Sequence, residues 1–362
     1  MKELLIHIGY SKCASSSIQN LLTNNALFYN DDRSYKYIVF DGNRGILSSD
    51  KIAERGNFPP HFFTTVIPKN TNDLKKKLEF IVNDKCDVGI ISGEGLANPR
   101  WFTDEIFESF ASLDVKISIF FVLRRFDQWL NSAWWQWGAF SEISFDRWIM
   151  NHKLSSFYIG VEKWLKLPNV KNFTCVDLCE DPKDILANSL GIKNYDKYFI
   201  NASSSADMLR FLIKNKYRLK RTEHNPLIEF ILNNELNLPG EKPPFVISRK
   251  KQMSILQEYE AALSLNLDNN IKRIFTKHLT DLKKELRTNK SENVRSEKFS
   301  MSNFLNQRLD PEFLERINEI LVNRLHVPLH FSSERYMYFN PELKAAGINP
   351  YEHYLQHGIK KG

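Results

Sequence analysis

Apolar residues fall along this chain in short unbroken runs, separated by stretches in which they recur every third or fourth position. Leu4-Leu5-Ile6-His7-Ile8 is the first run and reads as a short strand buried on both faces. Ile18, Leu21 and Leu22 then repeat at helical spacing, with Ser15, Ser16 and Ser17 ahead of them as N-cap residues. Tyr37 to Phe40 is a second strand run, ending at Asp41-Gly42; residues 43–70, with Pro59, Pro60 and Pro68, read as irregular, and Leu74 to Val82 as a helix. Val88 to Ile91 is a third run, closing on Ser92-Gly93-Glu94, and Ile117 to Leu123 is the clearest, ending abruptly in Arg124-Arg125. Phe126, Trp129, Leu130, Ala133, Trp134 and Trp137 follow the i, i+3, i+4, i+7 pattern of a helix. A helix around Val161 to Leu165, a strand from Phe173 to Leu178 and a helix from Pro182 to Leu190 come next.

Strands apolar on both faces that alternate with helices predict an α/β fold, a central parallel sheet flanked by helices. Ligands on such sheets sit at the carboxyl ends of the strands, where Lys12, Glu94 and Arg124 fall. From about residue 205 the pattern is mainly helical, and the polar stretch 283–299 reads as a linker. The expected organisation is a domain over 1–282, that linker, and a small helical C-terminal module over 300–362. In the module His353 and His357 have i, i+4 spacing without a third metal ligand, which favours a core or surface pair.

Composition narrows the chemistry only in part. With 362 residues, 42% of them hydrophobic, the chain can bury a substantial core. Its formal net charge of +7 suits an anionic ligand without choosing among a nucleotide, an acidic glycan, a nucleic acid or a membrane surface. Cys13, Cys86, Cys175 and Cys179 form no CxxC pair, the usage of reduced thiols in the cytoplasm. The N-terminal apolar run is too short for a signal peptide, and no segment has the length of a transmembrane span.

The segment Gly9-Tyr10-Ser11-Lys12-Cys13-Ala14-Ser15-Ser16-Ser17 joins a strand to a helix N-terminus. Such a loop aims N–H groups and the helix dipole at one point, and small hydroxyl residues and a lysine add to an anion cradle. It is not a Walker A loop, because no Gly-Lys pair precedes Ser or Thr. Taken alone it also fits a capped helix with a surface lysine. An arginine fork at a strand end, as at Arg124, suits a phosphate dianion; a solvated charge is the alternative for Arg124 or Arg125. Glu94 stands where a general base for an acceptor hydroxyl belongs, or else caps a helix or pairs with Arg100. Asp41, His61 and His7 are weaker candidates, His7 reading as a buried, hydrogen-bonded strand residue. The basic runs 214–221 and 249–251 read as solvated helix faces, or as a contact surface for nucleic acid.

Lys12 to Ser17 resembles the 5′-phosphosulfate loop, Lys-Thr-Gly-Thr-Thr-Ser, of the sulfotransferases that use 3′-phosphoadenosine 5′-phosphosulfate (PAPS). Cys13 replaces a threonine and Ala14 a glycine; Ala14 fits if its position needs no positive φ. Arg124 and Ser132 are similar to that family's 3′-phosphate motif, and Ser92-Gly93-Glu94 to a Ser-Ser-Glu of bacterial-type carbohydrate sulfotransferases. Looser similarity at Trp134 to Gln136, Phe145 to Trp148, Val176 to Ile192 and Asn201, Ser203 to Arg210 extends the match over roughly residues 3–280. The tail 336–362 resembles a short module of bacterial glycan-modifying enzymes.

The resemblance implies a P-loop-like fold and PAPS as co-substrate, held by Ser11, Lys12, Cys13, Ala14, Ser15, Ser16, Ser17, Arg124 and Ser132. It implies Lys12 and Glu94 as catalytic residues and a carbohydrate hydroxyl, of a polysaccharide or glycolipid, as acceptor. No metal and no nucleic acid is expected, and a cytoplasmic bacterial enzyme is. Two other classes stay open: a P-loop kinase-like phosphotransferase, and a basic glycan- or nucleic-acid-binding protein without activity.

Overall fold

A computed structural model describes residues 1–41, 45–48, 52, 63–68, 70–98, 103–141, 143–193, 195, 204–217, 219, 221–223, 225, 227–236, 241–288, 299–323, 336–337, 340, 343 and 350–353. The chain divides into two compact units, one of residues 1–201 and 245–300, the other of 202–244 and 301–362.

The first unit is an α/β structure. Its strands are β1 (Glu3–Ile8), β2 (Leu27–Asn30), β3 (Arg33–Asp41), β4 (Gly45–Ser48), β5 (Val88–Gly93), β6 (Lys116–Leu123) and β7 (Val170–Asp177). They lie in the order β2-β3-β5-β1-β6-β7, with β4 paired to the far half of β3. From β3 to β7 every neighbouring pair is parallel, whereas β2 and β4 run antiparallel to β3. The sheet is therefore mixed rather than wholly parallel. Two short polar segments account for the difference. Asp31 and Asp32 both take left-handed φ, 46° and 58°, which is the two-residue turn that closes an antiparallel hairpin. Gly45, at φ 81°, opens β4 in a stretch that reads as irregular in sequence.

β1 is central because it can be buried on both faces: Leu4, Ile6 and Ile8 are wholly inaccessible. His7 lies in the same strand opposite Ser92 of β5, and its Nδ1 is 2.7 Å from the Ser92 hydroxyl, so the buried, hydrogen-bonded reading of His7 is borne out. Its Nε2 meets no partner among the described residues, and burial pushes its pKa down to about 3.

Helices α1 (Ser15–Asn24), α2 (Thr71–Val82), α3 (Asp104–Ala111), α4 (Phe126–Gln136), α5 (Phe145–Met150), α6 (Ser155–Leu165) and α7 (Pro182–Leu190) connect the strands; α1, α2, α4, α6 and α7 fall where the periodicity predicts, whereas α3 is an addition to the expected elements. α10 (Arg249–Leu263) and α11 (Asn269–Thr288) complete this unit, after α8 (Ala206–Lys214) and α9 (Leu227–Leu236) of the second. α11 corrects the expected linker over 283–299: residues 283–288 continue the helix, and 289–298 lie outside the described residues. The charged residues there are the outer face of an amphipathic helix whose other face buries Ile271, Ile274, Phe275, Leu282 and Leu286.

The second unit is helical among its described residues, with α8 (Ala206–Lys214), α9 (Leu227–Leu236), α12 (Met301–Asn306), α13 (Pro311–Asn323) and a last turn, α14 (Pro350–His353). Its chain segments are interleaved with the first unit in sequence, so the C-terminal module includes 202–244 rather than 300–362 alone. Arg210 lies over the Phe304 ring at 5.1 Å, and Phe211 meets Phe313 at 6.1 Å. Asn201, Ser203 and His357 lie outside the described residues. His353 Nδ1 is 3.0 Å from the Tyr336 hydroxyl.

Candidate anion site at the carboxyl edge of the sheet

β5, β1 and β6 are adjacent, so the loops after them meet. The loop after β1 is built on close approach. The Gly9 N–H donates to Gly93 O at 2.9 Å, and a Cβ on Gly9 would stand 2.7 Å from Ser15 Oγ and 3.1 Å from Glu94 Cα. A side chain there would force the two loops apart.

Beyond Gly9 the chain turns sharply. The Cys13 N–H and the Ser15 hydroxyl both donate to Tyr10 O, each at 3.1 Å. Lys12 and Ala14 take left-handed φ, 65° and 61°. The condition under which Ala14 was an ordinary replacement for glycine thus fails: this position does need a positive φ, and alanine holds it at a cost. Ala14 is also the N-cap of α1, and with no side-chain oxygen it caps nothing. Ser15, Ser16 and Ser17 are not caps, as their chemistry suggested, but the first three residues of the helix. Their N–H groups have no acceptor within the helix, which begins its ladder with Ile18 N–H on Ala14 O.

The Cys13 thiol is wholly buried and pushed up to about 12 by burial, and the Cys13 N–H is engaged with Tyr10 O.

Arg124 ends β6 and reaches the loop: its Nη1 donates to Lys12 O at 3.2 Å. Its Nε is buried and meets no acceptor among the described residues. Burial lowers its pKa, opposed by Cys13 and Asp127, and it remains a cation. The edge of the guanidinium that carries Nε is one that can grip an oxyanion with two parallel bonds. Arg125 is committed elsewhere. It pairs with Asp127 at 2.7 Å and with Glu285 of α11 at 2.6 Å, and Asp127, wholly buried, also accepts from Gln252 at 3.1 Å. The Tyr259 hydroxyl accepts the Phe126 N–H at 2.9 Å. These contacts fix the start of α4 beside Arg124. Ser132, two turns along α4, is half-buried, and no hydrogen bond engages its hydroxyl among the described residues.

Glu94 follows β5. Its side chain is solvent-accessible, yet burial of its surroundings raises the carboxyl pKa, with Lys12 pulling the other way. Arg100 and His61 lie outside the described residues.

The tryptophan-rich helix serves the core first. Trp129, Trp134 and Trp135 are buried, Trp134 against Phe145 and Trp148. One contact was not legible from spacing: the Trp129 indole N–H donates to Ser11 O at 2.7 Å, and the Tyr10 ring packs between Trp129 and Phe157. A core tryptophan and a loop-holding tryptophan share one sequence pattern.

No family model, no curated protein and no solved structure matches the chain. Among the described residues no cluster of His, Cys, Asp or Glu is arranged to hold a metal ion, and no helix is long and apolar enough to cross a membrane. Fold and site together define an α/β protein in which the loops after β1, β5 and β6 meet at the carboxyl edge of the sheet.

Proposed function

We propose that the protein is a sulfotransferase that moves a sulfuryl group from PAPS to a hydroxyl of a carbohydrate acceptor. The observation that carries this reading is the meeting of two segments far apart in sequence. Arg124 touches the Lys12 carbonyl and keeps a buried, unsatisfied Nε beside it. One loop offers a lysine and uncapped helix N–H groups, the other an arginine fork, which suits a ligand with two anionic groups. Such a ligand is a nucleoside 3′,5′-bisphosphate. The carbohydrate class of the acceptor rests on the resemblance at Ser92-Gly93-Glu94 and in the tail.

In this reading the Ser15 to Ser17 N–H groups, with Ser11 and Ala14 shaping the loop, hold the 5′-phosphate, and Arg124 with Ser132 holds the 3′-phosphate. Lys12 stabilises negative charge on the bridging oxygen as the S–O bond to the nucleotide breaks. The acceptor oxygen forms the new S–O bond, and its proton passes to Glu94. A raised carboxyl pKa makes Glu94 a better proton acceptor than an ordinary glutamate.

Calorimetric titration with the desulfated product, adenosine 3′,5′-bisphosphate (PAP), tests the donor assignment. PAP should bind the wild type, and bind Lys12→Ala roughly tenfold or more weakly, the loss of about 1.4 kcal/mol or more expected for a charge-assisted contact. ATP with Mg²⁺ binding more tightly than PAP, or Lys12→Ala binding PAP as well as wild type, would overturn it.

A further inference from the structure

We propose that Trp129 is a positioning residue for this loop: its indole N–H, together with Arg124, holds two consecutive carbonyls, Ser11 O and Lys12 O, turned away from the donor's 5′-phosphate. The inference rests on the donor-site reading for its ligand, but the clamp itself is a property of the free protein.

A loop that receives an anion must present N–H groups and hide carbonyl oxygens, whose partial negative charge repels it. In this loop the carbonyls of residues 10 to 12 and 14 all have partners. Tyr10 O accepts from Cys13 N–H and the Ser15 hydroxyl, Ser11 O from Trp129, Lys12 O from Arg124, and Ala14 O from Ile18 N–H. The first and last of these bonds are local to the turn and the helix. The middle two come from the β6–α4 segment, more than a hundred residues away.

Peptide planarity makes the Ser11 bond decisive, because the carbonyl of one residue and the N–H of the next point in opposite directions. Holding Ser11 O toward Trp129 aims the Lys12 N–H the other way. Lys12 itself sits at φ 65°, a conformation that a lysine abandons unless its neighbours hold it. Trp129 is suited to hold it because its own orientation is fixed. It is 3% exposed, stacked on Phe126 at 5.9 Å, and met edge-on by Tyr10 at 5.6 Å and Phe157 at 5.4 Å. Its only polar atom is therefore aimed at one spot.

Trp129→Phe keeps the ring packing and removes the N–H. In the free variant, amide hydrogen exchange at residues 11–17 should be faster than in wild type. PAP should bind about threefold to tenfold more weakly, the loss of one hydrogen bond. Adenosine 3′-monophosphate, which lacks the group the loop holds, should bind within about twofold of wild type. Phe157→Leu, which trims the same aromatic cluster without touching a donor, should lower stability and leave the ratio of the two affinities unchanged. Unchanged loop exchange in Trp129→Phe, or equal weakening of both nucleotides, would overturn the proposal. Where wild type binds neither nucleotide the sulfotransferase reading fails, and loop exchange alone then decides on the clamp. A second measurement needs no variant. In wild type the Trp129 indole proton, assigned by NMR, should exchange slowly, and rapid exchange with solvent would sink the clamp even if the substitution failed to fold.

Discussion

Ala14 and His7 show how much of the site's energetics is set by single residues. Ala14 holds a left-handed φ of 61° with a Cβ that this region disfavours by about 1–2 kcal/mol. Glycine would relieve that strain, although it also loosens the unfolded chain by up to about 1 kcal/mol. Ala14→Gly should therefore raise stability by roughly 0.5–1 kcal/mol and leave PAP affinity the same or better; a fall in the thermal midpoint would show that the alanine methyl has a packing role. His7 gives the pH dependence. Its pKa is about 3 in the folded protein and about 6.5 when unfolded, so the folded state binds fewer protons between those values. The stability that neutral His7 contributes is fully present above pH 6.5 and is lost as pH falls toward 3, with a slope approaching about 1.4 kcal/mol per pH unit. His7→Asn, which keeps a polar atom near Ser92, should flatten that slope in denaturant titrations between pH 6.5 and 4. An unchanged slope would mean that other groups carry the acid sensitivity.

At the scale of elements, the strands and helices that frame the site were legible because their apolar patterns are long and regular. β1, β5, β6 and α4 fall where the runs and the i, i+3, i+4 spacing put them. That their following loops open on one edge also followed from a parallel sheet, whereas the order that makes β5, β1 and β6 neighbours did not. What was hidden depended on backbone torsions and distant partners. The β2–β3 hairpin turns on Asp31 and Asp32 at positive φ, where the sequence carries no Asn-Gly or Asp-Gly signal. The helix N-cap is Ala14 rather than a serine, and it sits at a left-handed φ that its residue type does not announce. Arg124 and Arg125 look alike in sequence, and only the third dimension separates them. One faces the Lys12 carbonyl, while the other neutralises the wholly buried Asp127 and reaches Glu285. The distinction matters for reading variants. Loss of Arg125 strands a buried carboxylate, an effect on the order of 3–5 kcal/mol on folding, and says nothing about ligand binding.

For the whole molecule, the expected boundary near residue 300 is not a place to cut. The helical unit is assembled from 202–244 and 301–362. α8 carries Leu209 and Leu212, and α9 carries Leu232 and Leu236, all buried; Phe304 of α12, Phe313, Ile317 and Ile320 of α13, and Leu343 are buried in the C-terminal half of the same unit. A chain ending at Ser300 keeps the sheet, the loop after β1 and Arg124, and loses the second half of this other core. Each large apolar side chain thereby uncovered costs about 1.5–3 kcal/mol of burial, more than two short helices can recover from propensity. The truncated chain should still bind PAP with nearly wild-type affinity, because every proposed donor contact lies in the first unit. Its segment 205–244 should be cut by a protease at concentrations that leave the full chain intact, and mass spectrometry of the fragments would locate the cuts. If that segment stays as resistant as in the full protein, α8 and α9 form a self-sufficient core and the interleaved unit is not the folding unit that its packing implies.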